Sequence, residues 1–157
     1  MAILSKEVIE LLQDKQTVKV ISTVSDTGEL NASIKGSLMA LEDGNLAYME
    51  LLETSQTQRN VLWAHLWNKT VSVLAYNPGN NQCYKIKGEP VKFLIMGPVW
   101  DIFLEETWKM LPEADPAGVW LIKPVEVVAA DYFSRLEAEE KRLPHMPFWS
   151  RILGPRP

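Results

Sequence analysis

The chain has 157 residues, 46% of them apolar and 23% charged, with a formal net charge of −4 and a pI near 5.2. That length suits one domain, able to bury about 68–70% of its unfolded surface without a metal or disulfide staple. The acidic balance argues against nucleic acid as the main partner, the single cysteine, Cys83, excludes an intramolecular disulfide and suits a reducing cytoplasm, and no apolar run is long enough to span a bilayer.

Ser5 caps a predicted first helix over Lys6 to Asp14, with Val8, Ile9, Leu11 and Leu12 on one side. The charges scattered through this segment leave no uncharged signal-peptide core. TVKVISTVS is β-branched and alternates, so it predicts a strand, and Asp26-Thr27-Gly28 is a hairpin turn. ELNASIKGSLMAL predicts one long second strand with a bulge or close approach at Gly36. A turn at residues 42–45 leads to a third strand, LAYMELL, and then to the polar loop ETSQTQRN, which opens a helix through VLWAHLW that Asn68 stops. TVSVLAY is the next strand. CYKIKGEPVKFLI follows, irregular at Gly88-Glu89-Pro90. Pro98 sits in the first turn of a helix over VWDIFLEETWKML. VWLIKPVEVVAADYF is a last strand, in which Pro124 demands an edge or a bulge. A short charged helix, SRLEAEEKRL, closes a domain spanning residues 1–143, and residues 144–157 form a proline-rich extended tail.

These elements predict a mainly β fold with helices: six antiparallel strands, joined mostly by hairpins and closing into a barrel, because closure removes exposed edges. The usual dinucleotide and triphosphate signatures, GxGxxG and GxxxxGK[ST], are absent.

Three segments carry polar groups beyond what a plain connection needs. In the loop, Ser55, Thr57 and Arg59 add donors where a helix N-terminus already offers unpaired N–H groups, which makes a phosphate cradle. The plainer alternative is that Thr54 or Ser55 caps the helix while Gln58 and Arg59 face water. On the second strand, alternation puts Asn31, Ser33 and Lys35 on one face, either solvated or functional. In YKIKG, Lys85 and Lys87 share one side. A barrel would gather Lys35, Arg59, Lys85 and Lys87 into a local positive site within an acidic molecule.

The order and spacing of GELNASIKGS, TQRNV and YKIKG resemble the pyridoxamine 5′-phosphate oxidase-like, FMN-binding split-barrel family, over roughly residues 7–131. That resemblance implies a split barrel and a cytoplasmic homodimer with FMN at the subunit interface. It implies a flavoprotein that passes electrons, in the manner of a flavin reductase, between a reduced donor and a small-molecule substrate. The implied phosphate ligands are Lys35, Ser37 and Thr57, assisted by Gln56 or Arg59. Asn31, Ala32 and Ser33 would run alongside the isoalloxazine ring, and Asn60 would fix the loop. Leu30 and Ile34 stand where the family pattern has proline. Gln56 stands where many relatives place Arg or Lys, leaving Lys85 or Arg59 to supply that charge. The alternatives are a non-enzymatic flavin carrier or sensor, and a relative that binds another ligand such as haem.

No residue presents itself as an obligatory general acid or base. His65 lacks a second ligand one helical turn on, so it reads as a core or surface histidine and no metal site is expected. His145 has no partner. The acidic pairs near Glu105 and Glu139 read as solvated helix faces. Most of the six tryptophans belong to a core or an interface, and Phe148-Trp149 of the tail is a candidate to stack on a ligand.

Overall fold

The computed structural model describes residues 4–142. Helix α1 (Lys6–Gln13) is capped by Ser5, whose hydroxyl accepts from the Val8 N–H at 3.3 Å. Strands β1 (Val18–Val24) and β2 (Leu30–Ile34) form the expected hairpin, with Gly28 at φ +88° in its turn. β3 (Met39–Ala40) and β4 (Leu46–Glu50) form a second hairpin. Helix α2 (Gln56–Leu66) ends just before Asn68, whose φ of +50° breaks the helical path. β5 (Val71–Tyr76) and β6 (Cys83–Leu94) lead to α3 (Pro98–Met110), β7 (Gly118–Ala129) and α4 (Tyr132–Arg142). The proline-rich tail, with His145, Phe148 and Trp149, lies outside the described residues.

The strands make one seven-stranded antiparallel sheet, ordered β2-β1-β5-β6-β7-β4-β3. The expectation of six strands is thereby corrected. The predicted long second strand breaks at residues 35–38, where the Leu38 N–H bonds the Lys35 carbonyl, and its two halves join opposite ends of the sheet. A link this short reaches at most about 18 Å at ~3.6 Å per residue, so the outer edges of β2 and β3 must lie close together. The sheet therefore curls on itself, without β2 and β3 pairing. That is a split barrel.

Leu12, Ile21, Leu46, Tyr48, Ile86 and Trp120 fill the interior. Strand β4 is buried on both faces, because α3 covers its outer side through Phe103 against Ala47, Met49 and Val119. Strand β6 shifts register between Lys87 and Gly88, as the Gly88-Glu89-Pro90 stretch predicts. Pro124 pairs with Gly88 at that irregularity, so the bulge, not an edge, is what admits it; β7 lies between β6 and β4.

Candidate functional site

Alternation on β2 sends Asn31, Ser33 and Lys35 inward, half-buried, and leaves Leu30, Ala32 and Ile34 on the outside. The inward face meets the first turns of α2. The Asn31 amide donates to Thr23 Oγ1 at 3.2 Å and to Thr57 Oγ1 at 3.1 Å, and the Asn60 amide donates to the same Thr23 oxygen at 3.0 Å. Gln56 donates to Asn60 Oδ1 at 2.7 Å and accepts from the Arg59 guanidinium at 2.7 Å. Thr23, Thr57 and Asn60 are all buried, so these bonds satisfy groups that would otherwise be stranded. The loop's polarity thus has two uses. Ser55 caps α2 by accepting from the Gln58 N–H at 2.9 Å, and Thr57 and Asn60 tie the helix to the β1–β2 hairpin. Gln58 does not face water: its side chain accepts from Trp120 Nε1 at 2.7 Å.

Lys35 is not free to hold an anion. Its ammonium lies 2.8 Å from Glu50 Oε2, with the two side chains 12% and 2% exposed, and 5.1 Å from the centre of the Tyr48 ring. Tyr48 is fully buried and its hydroxyl has no partner among the described residues. Burial, then the Glu50 charge, push that phenol well above the usual tyrosine range. Ser37 sits at the corner and accepts from the Met49 N–H at 3.0 Å. Beside this cluster, Lys19 bonds the Leu12 carbonyl at the end of α1, at 3.2 Å, and its burial lowers its pKa.

The opposite, outer face of the sheet carries an open groove of about 650 Å³ between the end of β2 and the lysines of β6. Asn31, Ala32, Lys85 and Lys87 line it, with Ser22 and Ser72 between them. A smaller groove of about 590 Å³ lies beyond the hairpin and includes Gln56, Arg59 and Asn60. The outer face is unusually apolar for a free surface: Leu30 is 86% exposed and Ile34 71%.

The structure therefore divides the implied cofactor residues. Asn31 joins Thr57 directly, with Asn60, Gln56 and Arg59 in the same network. Ser33, Lys35 and Ser37 belong to the inward face and its corner. Ala32 and Lys85 lie on the outer face. Lys35 does not converge with Lys85 and Lys87, because β1 and β5 separate their strands and their side chains point to opposite faces. Glu50, Thr23 and Gln58 were not legible as site residues. The one available signal was Glu50, a lone acid at the end of an apolar strand. His65 is held by the Pro90 carbonyl at 2.8 Å and packs edge-on to Trp120, as expected of a structural histidine. Among the described residues, no group of three or more His, Cys, Asp or Glu side chains could hold a metal, and no helix is long and apolar enough to cross a membrane.

For an FMN-sized ligand the two faces give different answers. The inner cluster is closed and its lysine is already balanced by a carboxylate, so it does not suit a phosphate dianion. The outer groove suits the group: it has hydroxyls at Ser22 and Ser72, two ammonium groups at Lys85 and Lys87, and an exposed apolar border at Leu30.

No protein-family model matches the sequence, and no curated protein does. Solved structures match over most of the chain. A candidate pyridoxamine 5′-phosphate oxidase from Lactobacillus delbrueckii is 19% identical, with a TM-score of 0.63 over 82% of this chain and 96% of that one. An FMN-binding protein from Syntrophomonas wolfei is 12% identical, with a TM-score of 0.62 over 80% and 88%. The haem storage protein HutZ from Vibrio cholerae is 13% identical, with a TM-score of 0.55 over 80% and 94%. The chain has the fold of the pyridoxamine 5′-phosphate oxidase-like, FMN-binding split barrels; at these identities the likeness reaches no further than fold.

Proposed function

We propose that this chain is an FMN-binding flavoprotein that acts as a homodimer and passes electrons from a reduced donor to a small substrate. The observation that carries this reading is the outer groove, which crosses the sheet from Ala32 past Ser22 and Ser72 to Lys85 and Lys87, beside the exposed Leu30. A heteroaromatic ring can lie along this sheet face, and a second copy laid on Leu30 and Ile34 would bury them and cover the groove. When bound, the cofactor supplies the redox chemistry. The chain's own residues would shape its seat: the inward-turned Asn31 amide, held by Thr23 and Thr57, and the α2 network fix the β1–β2 hairpin that borders the groove.

The test is the absorption spectrum and the mass of the purified protein. Flavin bands on adding FMN, with a dimer by light scattering at micromolar concentration, support the reading. A colourless protein that takes up no FMN ends it. A Soret band would favour the haem alternative. Turnover with a reduced nicotinamide and an artificial acceptor separates an enzyme from a flavin carrier or sensor.

A further inference from the structure

We infer that Lys85 and Lys87, rather than Lys35, form the anion-binding wall of this molecule, on the outer face of the sheet. The identity of the anion, the phosphate of FMN, rests on the flavin reading above; the place of the site rests on geometry.

Strand register builds the site. Ala32 pairs with Ser22, Ser22 with Ser72, Ser72 with Lys87, and Lys87 with Glu126, so one row crosses five strands and is polar over the four from Ser22 to Glu126. The neighbouring row runs Ile34, Val20, Leu74, Lys85 and Val128. Leu30 and Val24 pair on the other side. The groove thus has a floor of hydroxyl and ammonium donors between apolar shoulders. Ile86 and Gly88 are buried, which sends Lys85 and Lys87 outward together, about 7 Å apart along the strand. Neither lysine has a carboxylate within ion-pair distance among the described residues, and Glu126 is the groove's one acid. The wall therefore keeps a net positive charge, whereas Lys35 and Glu50 cancel. A phosphate accepts charge-assisted bonds from such a wall while the ring lies on the apolar shoulder.

The test titrates FMN and riboflavin, which lacks the phosphate, into four proteins: wild type, Lys85→Ala/Lys87→Ala, Glu126→Gln and Lys35→Met/Glu50→Leu. The lysine double variant should bind FMN about tenfold or more weakly, leave riboflavin affinity unchanged and flatten the salt dependence of FMN binding. Glu126→Gln should tighten FMN by a few-fold. Lys35→Met/Glu50→Leu should bind FMN as wild type does. FMN affinity within twofold of wild type in the lysine double variant overturns the inference, as does a folded Lys35→Met/Glu50→Leu protein that has lost FMN. Should wild type bind neither flavin, the functional reading fails separately. Lysine acetylation read by mass spectrometry, with and without inorganic pyrophosphate, then judges the anion site. Protection of Lys85 and Lys87 relative to Lys15 and Lys69 sustains it, and equal labelling of all four overturns it.

Discussion

Replacing Lys35 by methionine should be among the most damaging single changes in the chain. The substitution keeps the length of the side chain and removes the ammonium that sits 2.8 Å from Glu50, a carboxylate only 2% exposed. Stranding one partner of a buried pair typically costs about 3–5 kcal/mol, because the remaining charge has neither water nor a counter-ion. For a domain of this size each kcal/mol lowers the midpoint by roughly 2–4 °C, so the expected loss is on the order of 10 °C. Thermal unfolding followed by tryptophan fluorescence measures the midpoint and urea unfolding the free energy, since Trp120 is fully buried in the same interior. The double variant Lys35→Met/Glu50→Leu removes both charges and should recover most of the loss. A single variant that loses less than about 1 kcal/mol, or a double variant no better than the single, would refute a buried pair that clamps the 35–38 corner to β4.

Tyr48→Phe should stabilise the protein by about 1 kcal/mol at neutral pH, because the hydroxyl is buried without a partner among the described residues. The folded phenol is held above its ordinary value of 10.0, so its contribution is intact below that pH and is lost as pH rises through it. The variant should therefore lose less stability than wild type above pH 10 in alkaline denaturant melts. Thr57→Val removes the oxygen that accepts from Asn31 at 3.1 Å and should cost about 1–3 kcal/mol by the same assay; a neutral result would mean Asn31 finds another acceptor. Burial, then the Asp131 charge, raise the Cys83 thiol. Its alkylation by iodoacetamide at pH 8 should be slower than that of a free thiol and should quicken in Asp131→Asn.

What the sequence made legible was local. Ser5 and Ser55 cap their helices, Gly97-Pro98 opens α3, and Gly88 marks the irregularity in β6, because each effect is completed within a few residues. Interactions that depend on closure were not legible. The break at residues 35–38 is weakly marked in a β-prone run, yet it moves Met39–Ala40 to the far edge of the sheet. Glu50 resembles any acid at a strand end until the curled sheet brings it to Lys35.

The same limit explains why the phosphate assignment divides between two faces. Alternation fixes which side chains share a face, but it does not say which face is inside; a shift of one residue exchanges them. On β2 the polar set Asn31, Ser33 and Lys35 faces in, and the apolar set Leu30 and Ile34 faces out, the reverse of a solvated barrel strand. On β6 the apolar Ile86 faces in and the lysines face out. An interior that contains an ion pair beside an exterior that exposes leucine and isoleucine is costly for a lone monomer in water. The arrangement makes physical sense if the outer face is where a second copy and a flat ligand are held, while the inner groups Asn31, Thr57, Asn60 and Lys35, held by Thr23, Gln56 and Glu50, fix the hairpin that presents it.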